Sequence, residues 1–141
     1  KLNPAVEVYQ QACPLLVPII EAGEQDWEGT DMIIRRYLKE LFAREKSIDT
    51  ILLACTHYPI LYQNFVRNVP PQIKILEQGP VIARKLKDYL FRHPEIETRL
   101  GKGSRCAFLT TDTWEKFDRL ARVFYGEPIH SELVSLDTIC S

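Results

Sequence analysis

Thr50-Ile51-Leu52-Leu53-Ala54 runs without a charge and stops abruptly at Cys55-Thr56-His57-Tyr58-Pro59. A short, continuous apolar run with such a stop reads as a strand buried on both faces, the kind found in parallel sheets. Parallel neighbours need a crossover between them, usually a helix. The flanking sequence supplies it. Residues 60–69 read as a helix with Pro59 near its first turn, where proline is tolerated, and Pro70-Pro71 ends it. Ile73-Lys74-Ile75-Leu76 is the next strand, and Gly79-Pro80 turns into a helix over 81–91.

The same alternation extends both ways. Upstream, residues 31–45 place Ile33, Ile34, Leu38, Leu41 and Phe42 at helical spacing with charges between. Before them, Val6-Glu7-Val8-Tyr9 reads as a short strand, and residues 15–22 as a short helix closed by Gly23, with Pro18 against it. Downstream, residues 92–104 hold Pro94, two glycines and many charges, and read as a linker or exposed crossover. Residues 106–110 form a strand with Cys106 in its core. Asp112 and Glu115 have capping-box spacing for a helix that runs to Gly126, and residues 132–136 form a last strand. The expected order is β-α-α-β-α-β-α-β-α-β. This is the α/β class, a parallel sheet flanked by helices.

Composition narrows the function classes. The chain has 141 residues, 45% hydrophobic and 26% charged, as in ordinary globular proteins and unlike disordered or collagenous ones. Its longest uncharged apolar run, residues 12–20, carries two prolines and falls short of the ~20 residues a bilayer requires, so no membrane span is expected. A net charge of −1 gives no basic footprint for nucleic acid, and Arg35-Arg36 reads as a solvated helix face. Cys13, Cys55, Cys106 and Cys140 contain no C-x-x-C pair, and the Cys55/His57 spacing fits no common zinc pattern. Reduced thiols in a cytosolic protein without a metal are the expectation. The chain starts at Lys1 and its only methionine is Met32, so residues preceding Lys1 are expected.

Ligands of parallel α/β sheets bind beyond the carboxyl ends of the strands. Four junctions qualify: residues 12–15, 55–59, 77–80 and 110–113. The second puts a thiol, a hydroxyl and an imidazole in consecutive positions. A helix following at once would favour an anion there and lower the thiol pKa. Cys55 with His57 nearby is a sensible base or nucleophile, although a lone cysteine is usually a small buried hydrophobe. On the same grounds Cys13 reads as packing, Glu21 as solvated, and Thr110-Thr111-Asp112 as a helix cap. His93 and His130 sit in loop-like context.

Leu53-Ala54-Cys55-Thr56-His57-Tyr58-Pro59 resembles the second-cysteine motif of glutamate racemases. The segment from Ala12-Cys13-Pro14 through Val17-Pro18 and Glu21 to Gly23 is similar to another motif of that family. So are Ile75-Leu76-Glu77-Gln78-Gly79 and Phe108-Leu109-Thr110-Thr111-Asp112, in the family's order. The resemblance implies a cofactor-independent, two-thiol racemisation of L- and D-glutamate. One thiol removes the α-proton and the other returns a proton on the opposite face. It implies Cys55 as the base toward L-glutamate, His57 as its assistant or as a substrate orienter, Thr56 as a donor to substrate and Glu21 as a carboxylate setting the site's electrostatics. It places Cys13 outside the catalytic pair. The D-S-G and C-N-T-A segments of the family's amino-terminal half, the latter with the other thiol, do not occur.

The implied whole is a two-lobed enzyme with glutamate between the lobes, of which this chain is the carboxyl-terminal half. Residues 1–92 would belong to the second lobe. Residues 93–141 would be a crossover and a segment returning to the first. The partners implied are glutamate and the missing amino-terminal half, with a homodimer left open. The implied role is bacterial and cytoplasmic: D-glutamate for peptidoglycan. Alone, the chain is expected to be inactive. A non-catalytic fragment or binding module of the same fold stays open beside this reading, as does an aspartate racemase or a one-cysteine decarboxylase of similar fold.

Overall fold

The computed structural model describes residues 3–136; Cys140 lies outside them. The chain divides into two compact units, Lys1–Ile82 and Ala83–Ser141. Among the described residues the four strands lie in parallel pairs flanked by helices, but they form two separate two-stranded sheets.

The first unit opens with α1 (Leu16–Glu21). Pro18 is its third residue, inside the first turn, where no intrahelical N–H bond is lost. Gly23 takes φ +77, and its N–H and that of Glu24 return to the carbonyls of Ile20 and Ile19 at 3.0 Å each. That double closure is a Schellman motif, which needs the left-handed residue glycine supplies. α2 (Glu28–Arg44) starts ahead of its apolar stripe because Thr30, fully buried, anchors its hydroxyl on the Glu24 carbonyl at 2.7 Å. Asp31 then accepts from the buried Asn64 amide at 2.9 Å and from Arg67. Burial alone would raise the Asp31 carboxyl; the bonds from Asn64 and Arg67 and the Arg67 charge outweigh it and hold it below its ordinary value.

β1 (Thr50–Leu53) and β2 (Lys74–Glu77) pair in parallel, Thr50 opposite Lys74 and Leu53 opposite Glu77. Between them lie a 3-10 turn (Tyr58–Leu61) and α3 (Tyr62–Asn68). Ile51 and Leu53 join Leu16, Ile20, Ile34 and Leu61 in the core. Each such side chain contributes roughly 1.5–3 kcal/mol on full burial. The expectation of a strand buried on both faces is wrong for β1: Leu52 points the other way and is 54% exposed. Residues 6–9 do not form a strand, and Val8 is 78% exposed, since no strand among the described residues pairs with them.

α4 (Gln78–Arg92) follows β2 directly, with Gly79 and Pro80 in its first turn rather than before it, and the boundary between the units falls within it. The expected linker carries a single helical turn, α5 (Pro94–Glu97), before a loop in which Ser104 takes φ 51. That loop delays the next strand: β3 is Phe108–Thr110, so Cys106 is an exposed loop residue and not a core one. The capping box before α6 (Trp114–Tyr125) does not form. Thr113 is the N-cap without a side-chain bond, and Asp112 instead accepts from the Thr113 N–H at 2.8 Å and pairs with Lys116. Gly126, at φ 83, closes α6 as expected. β4 (Ser131–Leu133) pairs with β3 in parallel.

Candidate functional site

The carboxyl ends of β1 and β2 lie side by side, because Leu53 pairs with Glu77. From that end the chain turns through Cys55-Thr56-His57-Tyr58, closed by the Tyr58 N–H on the Cys55 carbonyl at 3.2 Å. The turn folds His57 back toward Cys55. Its Nδ1 lies 4.0 Å from Cys55 Sγ, and its Nε2 lies 3.4 Å from Glu21 Oε1 at the end of α1. Thiol, imidazole and carboxylate therefore stand in a line. A proton on Nε2 faces the carboxylate and leaves Nδ1 as an acceptor toward the thiol. Glu21 is half-exposed, and a contact of that kind contributes at most ~1 kcal/mol to stability; its effect is on the orientation of the ring.

Cys55, His57 and Glu21 are thus brought together. Thr56 is in the same turn and exposed. The expected anion site at a helix N-terminus is not built: a 3-10 turn follows the motif, and α3 behind it has seven residues. The junction at residues 12–15 follows no strand. There Cys13 packs against the core, and burial pushes its thiol up to about 11, so it stays protonated at neutral pH. His93 is not isolated in its loop; its Nδ1 meets Glu95 at 2.8 Å.

Sequence reasoning named Tyr58 only as a letter of a motif. Its hydroxyl donates to the Cys13 carbonyl at 3.4 Å, tying the Cys55–Tyr58 turn to the segment that enters α1. Burial, then the nearby thiols of Cys13 and Cys55, push that phenol up to about 12, so it remains a donor. From α2 the Tyr37 hydroxyl makes a second tie to that segment, accepting from the Leu15 N–H at 3.3 Å. These two phenols hold α1, and so Glu21, against the turn. Among the described residues no group of three or more His, Cys, Asp or Glu is arranged to hold a metal, and no helix is long and apolar enough to cross a membrane.

No protein-family profile matches the chain. It is 34% identical over 140 residues to the glutamate racemase of a Sulfurihydrogenibium species, covering 99% of this chain and 50% of that protein. It is 35% identical over 135 residues to that of Chlorobaculum parvum, covering 95% of this chain and 48% of the relative. Among solved structures, the glutamate racemase of Francisella tularensis in complex with D-glutamate overlies 96% of this chain and 50% of its own, with TM-score 0.79 and 29% identity. A glutamate racemase isoform of Bacillus anthracis gives TM-score 0.79 at 25% identity, over 96% of this chain and 49% of its own. The homologues of this chain are glutamate racemases, which are isomerases, and the chain spans about half their length.

Proposed function

We propose that this chain is the carboxyl-terminal half of a cofactor-independent glutamate racemase and supplies one wall of its active site. The observation that supports this most is the Cys55–His57–Glu21 line at the carboxyl end of β1. His57 Nδ1 takes the thiol proton, and Glu21 steadies the ring through Nε2. The Cys55 thiolate then removes the α-proton of L-glutamate. Thr56 donates to the substrate carboxylate, where charge develops as the proton leaves. A second cysteine, carried by the half that this chain does not match, protonates the carbanion-like intermediate from the opposite face. One thiol gains a proton and the other loses one, and the configuration inverts. Reversal makes Cys55 the donor toward D-glutamate. The product, D-glutamate, serves bacterial peptidoglycan, and the reaction is placed in the cytoplasm.

The test is reconstitution. Fused or co-expressed with an amino-terminal racemase half, the chain should racemise glutamate. Cys55→Ser should abolish turnover while the fold is retained, because it removes only the base. His57→Asn should lower kcat by roughly 10²–10⁴, the usual contribution of a positioned acid–base group. Normal turnover by the Cys55→Ser enzyme would sink the assignment.

A further inference from the structure

Cys55, His57 and Glu21 also make up the set that thiol acyl transfer requires: a nucleophile, a base and a group that orients the base. The contacts run in that order, 4.0 Å from Sγ to Nδ1 and 3.4 Å from Nε2 to Glu21 Oε1. Such contacts are commonly long in unliganded enzymes and tighten around a substrate. Cys55 stands just past the end of β1, where the chain turns sharply toward the 3-10 turn and α3. A strand-to-helix turn of this kind exposes a nucleophile and sets the next residue's N–H beside it as an oxyanion donor. The next residue is Thr56, and its N–H makes no hydrogen bond among the described residues.

The line is open to solvent. Thr56 is exposed, Cys55 is half-buried, and the side chains of His57 and Glu21 are 28% and 51% exposed. The other thiols lack the arrangement. Cys13 is packed on the core with its thiol pushed up to about 11, and Cys106 has no imidazole contact among the described residues.

We infer that this chain has a second activity, hydrolysis of small activated esters through an S-acyl intermediate on Cys55. Cys55 Sγ attacks the ester carbon while His57 Nδ1 takes the thiol proton. The Thr56 N–H donates to the oxyanion that forms. The C–O bond to the leaving group breaks, and Nδ1 returns the proton to the departing oxygen. Water then gives a proton to Nδ1 and attacks the thioester carbon. The C–S bond breaks, Sγ regains the proton, and the acid leaves. Glu21 acts through the ring as a positioning residue. The reaction needs one thiol where racemisation needs two, so it does not rest on the half-enzyme reading.

The probe is p-nitrophenyl acetate, given to the 141-residue chain alone. Nitrophenolate should appear in a burst and then steadily past one equivalent per chain, the kinetic mark of an acyl intermediate. Peptide mass spectrometry of the unaltered chain should find the acetyl group on Cys55. Cys55→Ser should abolish the turnover, and Cys106→Ser should leave it unchanged. His57→Asn should lower it by roughly 10²-fold or more. Glu21→Ala should lower it about two- to fivefold, and Glu21→Gln, which keeps an oxygen for Nε2, should restore it. Turnover that survives Cys55→Ser overturns the inference, as does acetylation of Cys106 in place of Cys55. Release that stops at one equivalent overturns it too, as does full turnover by His57→Asn or Glu21→Ala. Racemisation by the joined enzyme is measured separately, so either activity can fail without the other.

Discussion

Cys13, Cys55 and Cys106 carry one side chain in three environments: packed on the core, half-buried facing an imidazole, and exposed in a loop. Exposure alone would make Cys106 the most reactive. The Cys55–His57 contact is expected to reverse that order. With iodoacetamide at neutral pH, Cys55 should be alkylated faster than Cys106, as peptide mass spectrometry can follow; equal rates would argue against an activated thiol. Cys13, with its thiol at about 11, should be slowest. Two pKa units above an ordinary thiol leave roughly a hundredfold less thiolate. Tyr58→Phe removes one hydrogen bond to the Cys13 carbonyl and should cost about 1 kcal/mol in urea unfolding. It should also slow Cys55 alkylation by loosening the turn that faces His57 to it. Cys55 and His57 were legible because they are neighbours in the chain. Glu21 was legible only through a family motif, since no local pattern says that the end of α1 reaches His57. Tyr58 was missed because its partner is a backbone carbonyl on a distant segment.

Helix α1 is six residues long, too short to hold itself together. It stands because Leu16 and Ile20 are fully buried and Gly23 closes it. Gly23→Ala should destabilise the first unit by about 1 kcal/mol, the cost of a left-handed backbone for a residue with a Cβ. The same change should reduce any activity that depends on Glu21. Between α2 and α3, Asp31 has a folded pKa below its unfolded value of about 3.9. Its contribution is therefore complete at neutral pH and is lost as pH falls through the folded value. Urea midpoints followed from pH 7 to below that folded value should show the loss, and Asp31→Asn should flatten this part of the profile. α2 was readable from its apolar period because it packs on the core with one face. Residues 6–9 have the composition of a strand, but pairing decides a strand, and composition does not report a partner. The capping box at Asp112 failed for a related reason: Asp112 is held by the Thr113 N–H and Lys116 before it can cap α6.

At the scale of the whole chain, the parallel α/β class followed from the alternation of apolar runs and helices, and the structure has it. The division of the strands into two pairs did not follow, since the run at 106–110 looks no different from that at 50–54. The difference lies in what each pair buries. β1 and β2 sit on a core, whereas β3 and β4 carry one helix and an open face. The proposed reaction needs two opposed thiols and therefore two walls, and the proposal assigns Cys55 to the wall this chain would supply. The central claim is therefore tested by following the α-proton of L-glutamate and of D-glutamate in D2O by NMR. The chain should be measured alone and joined to an amino-terminal racemase half. The expected result is no racemisation by the chain alone, racemisation of both enantiomers by the joined enzyme, and loss of that activity on Cys55→Ser. Normal racemisation by the 141-residue chain alone would contradict it.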